Sequence, residues 1–375
     1  MFGLTSMSME RTILRSKTEL TNHEPNSVEK VKIGWIGAGF IGQVAHLVNY
    51  LEIPGAEVVG LSELRPELGK EVCKRYGISQ YYEDHRELLD NPEIEAIVAI
   101  VRRNHTAPLA WDILSADKHV FTEKPMAQTL DQAERLANLA EKNNLLYSVG
   151  FMRRHDQGVQ ETKRLINELI SSNELGSILF ARFYLSAGGD YCNIDGFIQT
   201  EEEKPTHKIW PTTPPWIPKK LENEYEHFLN VCSHDLNLIR FLFNKRPSIK
   251  HVEYRSKLGS VVVMDFGEFS GVFEWADTSQ NRWEEGVDIY FEKGRLHLEL
   301  PPAFLRNYPS KLEIYKDNGK EPGKLYSPTF DWTWSFRRQD EAFVNDVANK
   351  TRPIANGLDS VEDMRFLEDI WQHIC

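Results

Sequence analysis

Reactive side chains stand in a usable setting at two places in this sequence, Glu123-Lys124-Pro125 and Asn230-Val231-Cys232-Ser233-His234-Asp235-Leu236-Asn237. Lys124 follows Lys118–Thr122, which reads as a short buried strand. Pro125 biases Lys124 toward an extended backbone and bars a helix from starting there, so the lysine tip can project from the strand end. An ammonium in that position can hold a hydroxyl or carbonyl oxygen and stabilise developing alkoxide charge. The alternative is a lysine that caps a strand end in solvent. At the second place, a helix over Phe228–Phe243 would set Asn230 and His234 one turn apart on one face, with Asn237 a further turn along it. Asp235 would point roughly 100° away and is poorly placed to support that histidine.

The stretch that must position these groups is Val31–Gly42, VKIGWIGAGFIG. It begins as a buried strand, breaks into Gly37-Ala38-Gly39-Phe40-Ile41-Gly42, and continues as a predicted helix over Gln43–Leu51. This is G-x-G-x-x-G in a strand–turn–helix setting. Gly37 makes the tight turn, Gly39 admits a pyrophosphate close to the backbone, Gly42 lets helix and strand pack, and the helix N-terminus offers free N–H groups. A second strand, Glu57–Ser62, ends at Glu63, about 20 residues past Gly42, where an acidic side chain binds ribose hydroxyls. The carboxylate repels a 2′-phosphate, so NAD is expected and NADP is less favoured. Arg65 can soften that preference or be an ordinary surface arginine. The alternative for the whole stretch is an α/β turn that binds no nucleotide.

A chain of 375 residues exceeds one ordinary core, so two domains are expected. The net charge of −12 and the lack of a basic tract exclude a nucleic-acid surface. No apolar run has the roughly 18 residues needed to span a bilayer. Four scattered cysteines form no CxxC pair, and His105, His207, His227 and His251 lack metal-ligand spacing, so neither a disulfide framework nor a metal site is expected. A reduced, cytoplasmic protein fits these features. Residues 1–30 mix charges without an apolar stretch and read as a flexible extension, or as an arm reaching a partner subunit.

From Lys32 to Gly150 strands and helices alternate, which predicts an α/β domain over 31–150 with a doubly wound parallel sheet. Ligands then sit beyond the carboxyl ends of the strands, so Arg102–Thr106 and Glu123–Pro125 should face the cofactor cleft. Arg102 and Arg103 there can meet an anionic group or pair with acidic neighbours. Residues 151–375 carry helix Gln157–Ser172, period-2 segments at Ser177–Ser186, Val252–Ser256, Ser260–Phe266, Gly271–Ala276, Val287–Glu292, Leu296–Leu300 and Lys311–Tyr315, and two closing helices. These predict a second α/β domain with a large, mostly antiparallel sheet. Arg153 at the domain junction can reach substrate oxygens, whereas Arg154 suits an interdomain ion pair. The long loop 187–226 holds Trp210 and Trp216 on a proline-stiffened segment, either as a platform for a sugar ring or as part of a subunit interface.

Gly37–Gly42, Lys118-His119-Val120, Glu123-Lys124-Pro125 and Val149-Gly150-Phe151-Met152-Arg153-Arg154 together resemble the glucose–fructose oxidoreductase / inositol dehydrogenase / MocA oxidoreductases from about Val31 to the C-terminus. The resemblance implies a Rossmann domain followed by a domain whose sheet forms a homo-oligomer interface, in a dimer or tetramer. It implies that Lys124 contacts substrate and cofactor and that His234 exchanges a proton with the substrate hydroxyl, for which a neutral imidazole is suited. The chain departs from the pattern in having Asn230 and Asn237 where acidic residues are usual. An amide orients a hydroxyl but cannot support an imidazolium, so His234 is expected to be less basic than in relatives with the carboxylate. Arg102 and Arg103 also replace a proline and a neutral residue. The implied activity is NAD-dependent hydride transfer at a secondary alcohol of a sugar, sugar derivative or cyclitol. The alternatives are a glycoside-cleaving enzyme that keeps NAD bound, and a sensor of the same fold without catalysis.

Overall fold

The computed structural model of the chain describes residues 29–189, 192, 194–205, 209–256 and 259–375. The expected N-terminal extension, apart from Glu29 and Lys30, lies outside the described residues, as does His207. Six short strands form the first sheet: β1 (Val31–Ile36), β2 (Ala56–Ser62), β3 (Gln80–Tyr82), β4 (Ala96–Ala99), β5 (His119–Glu123) and β6 (Tyr147–Gly150). Their order is β3-β2-β1-β4-β5-β6, all parallel, which puts a topological switch point between β1 and β4. Apolar β-formers on both faces of β1 and β4 explain why both strands are buried between helix layers. The helices α1 (Val48–Glu52), α2 (Pro66–Tyr76), α3 (His85–Leu89), α4 (Arg103–Ser115) and α5 (Leu130–Lys142) connect them. Pro66 opens α2 and Gly77, at φ 70°, closes it.

The segment after the glycines departs from the regular helix expected over Gln43–Leu51. Gly42–Leu47 is π-helical, all six of its residues are buried, and only then does the chain settle into α1. The wider turn carries His46 into the protein interior.

The second domain holds α6 (Gln157–Ser172), an eight-stranded sheet, and α7 (Glu222–Phe243). The strands are β7 (Ile178–Ala187), β8 (Ser248–Glu253), β9 (Ser260–Asp265), β10 (Ser270–Asp277), β11 (Glu284–Phe291), β12 (Gly294–Leu300), β13 (Lys311–Lys316) and β14 (Lys324–Tyr326), in the order β14-β13-β12-β11-β7-β10-β9-β8. The β7–β10 pair is parallel and the others are antiparallel. Alternation sends Phe183, Leu185, Phe273, Trp275, Val287 and Ile289 to the covered face and leaves Arg182, Tyr184, Glu274 and Tyr290 on the other. The two largest differences from the expected boundaries are at β8 and α7. The edge strand β8 starts at Ser248 rather than Val252, because it pairs with β9 out to Asp265. α7 starts at Glu222 rather than near Phe228, its first turn carrying Glu222 and Glu224, which favour a helix N-terminus.

The closing helices are α8 (Ser335–Asn349) and α9 (Gly357–Ile374). α8 returns to the first domain, where Phe343, Val344 and Val347 pack with Ile33, Trp35 and Tyr50. α9 lies on α5 and α7, with Trp371 against the rings of Tyr225 and Phe228. The division at residue 150 thus follows the sheets but not the packing.

Gly37 has φ +93°, and a Cβ there would stand 2.3 Å from the Ile100 carbonyl oxygen. Gly37→Ala is expected to destabilise the fold by about 2 kcal/mol or more, measured by urea denaturation, since it adds a left-handed backbone penalty to a clash with main chain.

Candidate active site and dinucleotide groove

A groove of about 960 Å³ opens at the carboxyl ends of β1, β2 and β4, its floor made by Ile36–Gly42 and its walls by Glu63, Arg65, Arg102 and the loop residues Phe197–Glu201. Gly37–Gly42 forms the bend that the fingerprint predicts, and a Cβ at Gly39 would meet nothing within 4 Å. The open space above Gly39 is what a pyrophosphate requires, so these residues fit a dinucleotide. Glu63 lies at the end of β2, where Oε2 accepts the Ala38 N–H at 2.8 Å and the carboxylate accepts Arg65 Nε at 2.7 Å and Nη2 at 3.1 Å. Arg65 is therefore neither a free surface residue nor a free cation in the groove. Ile41 and Phe40 line the groove, and the Phe40 ring also meets Phe197 edge-on at 5.0 Å. Arg102 is part of the wall, whereas Arg103 turns to Glu226 at 3.7 Å.

The Lys124–Pro125 peptide is cis. Lys124 leaves the tip of β5 and donates from Nζ to the Asn230 carbonyl of α7 at 2.7 Å, which joins the two domains at the predicted reactive residues. Burial lowers the Lys124 pKa, and Arg103 adds to that, against the opposing pull of Glu123 and Asp235. His234 is half-buried on α7, its ring edge-on to Phe151, and Nδ1 is buried with no hydrogen-bond partner. Burial holds its pKa well below the usual histidine value, and the cations Lys124 and Arg153 push it the same way, so the imidazole is neutral at pH 7. Asp235 cannot supply the missing anion, because burial and then Glu285 raise its own pKa well above the usual carboxylate range.

Three expected substrate contacts are engaged elsewhere. Arg153 is 2% exposed and locked on Glu285, with Nε donating to Oε1 at 2.9 Å and Nη2 bonded to Oε2. Asn237 is fully buried, accepting from Arg154 Nε at 2.8 Å and donating to Asp363 Oδ2 at 2.8 Å, because its turn of α7 faces α9. Trp210 packs edge-on against Trp111 and under the Arg135 guanidinium, 4.8 Å from its ring centroid, and walls the dinucleotide groove. Trp216 is 38% exposed. The ion pair expected of Arg154 between the domains is made within the second instead, where it reaches Asp359 of α9 at 2.6 Å.

Beneath Glu123 lies a cluster that the sequence reading missed. His46 Nδ1 is 2.8 Å from Asp340 Oδ1 on α8, and its Nε2 is 3.0 Å from Glu123 Oε1. Asn49 Nδ2 donates to Asp340 Oδ2 at 2.8 Å, and the Lys124 N–H donates to Glu123 Oε2 at 3.1 Å. The His46 ring is sandwiched by Phe121 and Phe336 and wholly removed from solvent. Burial opposes its charge, but Asp340 and Glu123 outweigh that and hold the imidazole's pKa at about 9. The available signal was a histidine one helical turn past Gly42, among the apolar Val44, Ala45 and Leu47. Its partner Asp340 lies 294 residues away and carries no local mark.

Residues 31–151 match the model of the oxidoreductase family with an NAD-binding Rossmann fold, GFO_IDH_MocA. An inositol 2-dehydrogenase of Rubrobacter xylanophilus is 30% identical over 287 residues, covering 73% of this chain and 72% of that protein. This chain belongs to that family. Among solved structures, the oxidoreductase superposes on a levoglucosan dehydrogenase in complex with NADH and levoglucosan with a TM-score of 0.70 at 16% identity, over 92% of this chain and 97% of that one. It superposes on a 3-ketoreductase from Actinomadura kijaniata in complex with NADP and TDP-benzene with a TM-score of 0.71 at 15% identity, over 92% and 98%. At those identities the likeness is one of fold.

Two outcomes follow for the oxidoreductase. Gly39→Ala should leave the urea midpoint unchanged within about 0.5 kcal/mol but abolish dinucleotide binding in a calorimetric titration, since the added methyl meets only the space kept for the pyrophosphate. His46 has a folded pKa of about 9, above its unfolded value of 6.5, so its stabilisation is fully present below pH 6.5 and is lost as pH rises through 9. That component is on the order of 3 kcal/mol, and urea denaturation at pH 6 and pH 9.5 should show it in the parent protein and not in His46→Gln.

Proposed function

We propose that this oxidoreductase is a dehydrogenase interconverting a secondary hydroxyl and a keto group of a sugar, sugar derivative or cyclitol, with NAD rather than NADP as cofactor. The observation that carries the reading is the meeting of Lys124, from the Rossmann strand end, with the helix of the second domain that bears a neutral His234. When bound, NAD supplies the acceptor for the hydride leaving the substrate carbon. Gly37, Gly39 and Gly42 hold the pyrophosphate, Arg102 stands beside it, and Glu63 takes the ribose hydroxyls. The Lys124 ammonium exchanges the Asn230 carbonyl for the substrate oxygen and steadies its negative charge as the carbon–hydrogen bond breaks. The neutral imidazole of His234 takes the hydroxyl proton in oxidation and returns it in reduction. Asn230 orients a neighbouring hydroxyl, and Glu123 fixes the backbone that aims Lys124.

The names of the relatives support the substrate class, since an inositol dehydrogenase and a levoglucosan dehydrogenase each act on ring alcohols. Four free cysteines suit a reducing, cytoplasmic setting, and among the described residues no helix is long and apolar enough to cross a membrane. The outward face of the eight-stranded sheet, which carries Tyr290 and Tyr315, each 38% exposed, and the Arg182–Glu274 pair, supports a homo-oligomer joined across it. One observation favours a second reading, glycoside cleavage with the cofactor kept bound. Loop residues Phe197–Glu201 wall the groove and are tied to the Rossmann domain through Gln43, which suits slow cofactor exchange.

Lys124→Ala is expected to lower turnover by about a thousandfold with dinucleotide affinity nearly kept. The assay is NADH absorbance at saturating NAD across inositols, aldoses, uronic acids and anhydrosugars; equal turnover in the mutant would sink the assignment of Lys124.

A further inference from the structure

The loop after β7 belongs to the second domain, yet it is stitched to the first along the edge of the dinucleotide groove. Gln43, 1% exposed, donates from Nε2 to the Ile198 carbonyl at 3.0 Å and accepts the Ile198 N–H at 2.9 Å, as a β-ladder pair would. Arg75 holds the Gly196 carbonyl from α2, and Phe197 rests on Phe40. The last stitch is Glu202. Its two carboxylate oxygens accept the backbone N–H groups of Glu67 and Leu68, each at 2.9 Å, and Oε2 also accepts the Thr200 hydroxyl at 2.8 Å.

Glu67 and Leu68 lie in the first turn of α2, immediately after the β2 end where Glu63 awaits the adenosine ribose. A 2′-phosphate on that ribose would need donors at this edge. Two sets are within the chain's means, the guanidinium of Arg65 and the free N–H groups of α2. Each is already taken by a carboxylate: Glu63 occupies Arg65 through both Nε and Nη2, and Glu202 occupies the N–H pair. We propose that Glu202 is a specificity-determining residue that rejects NADP by filling the anion seat of α2 from the second domain, so that cofactor choice and latching of the loop are one event. The inference rests on the nucleotide-binding reading given above. It adds that Glu63 is only half of the discrimination. A 2′-phosphate would have to displace Glu202, and with it Thr200 and the rest of the stitched loop. NAD leaves the latch closed.

The experiment is a calorimetric titration of the full chain with NAD⁺ and with NADP⁺, for the parent, Glu202→Ala and Glu202→Gln. No substrate is needed, so the outcome is independent of which alcohol the enzyme oxidises. The parent is expected to bind NAD⁺ at least about a hundredfold more tightly than NADP⁺. Each variant should narrow that ratio by about tenfold or more, chiefly through tighter NADP⁺, since each removes one nearby negative charge; Glu202→Ala frees both N–H donors of α2 and Glu202→Gln frees one. Glu202→Gln keeps the side-chain volume and one acceptor, so it separates loss of charge from loss of the loop. A ratio unmoved in both variants, with NAD⁺ binding intact, overturns the role of Glu202 and leaves the dehydrogenase reading standing. A parent that binds neither nucleotide overturns both.

Discussion

A protonated imidazole without access to water is tolerated only where anions surround it, and His46 has two. Asp340 and Glu123 hold it from opposite sides at 2.8 and 3.0 Å. Removing either carboxylate would leave a charge inside the protein whose desolvation nothing offsets, a loss of about 3–5 kcal/mol in comparable buried pairs. The three residues come from the π-helical turn behind the glycines, the tip of β5 and the penultimate helix α8. The bond network therefore decides how the glycine bend sits relative to the strand end that carries Lys124, and it does so only once α8 has docked. Asn49 and the Lys124 N–H occupy remaining acceptor positions on the two carboxylates, so the cluster aims the backbone of Lys124 as well as stabilising the core.

The site belongs to both domains. Lys124 comes from the first and His234 from the second, with the ammonium hydrogen-bonded to the main chain of the helix that carries the histidine. The local field is cationic, since Lys124 and Arg153 both act on His234, and with Asn230 in place of an acid no carboxylate on that helix face offsets them. The imidazole is thereby kept in the form that can accept a proton. Arg153 exerts this influence while locked on Glu285, which lets it tune the histidine although its own guanidinium is paired. The groove is shared in the same way, with its floor from the Rossmann domain and part of its wall from the loop that follows β7.

Much of this was legible in the residues. Apolar periodicity located the parallel strands and most of the antiparallel ones, because each strand has to bury a recognisable face or both faces. The glycine spacing located the bend, because Gly37 occupies a backbone conformation and a clearance that side chains do not permit. The position of Lys124 before a proline at a strand end was enough to direct attention to the cleft. Asn230 in place of an acid was enough to expect a weakly basic His234, since an amide cannot stabilise an imidazolium whatever surrounds it.

What the sequence determined by itself is therefore most of the elements, the nucleotide-binding bend and the placing of Lys124 at a strand end and His234 on a helix, all of which depend on spacings of a few residues. Tertiary structure alone decided the rest. It paired His46 with Asp340 across 294 positions, sent Asn237 to Asp363 rather than to the cleft, shut Arg153 against Glu285, and brought Glu202 to the N-terminus of α2. In each case the role follows from which polar group is left to satisfy when two distant elements pack. A buried charge or amide takes the partner that packing delivers, and no local pattern in the chain encodes which partner that will be.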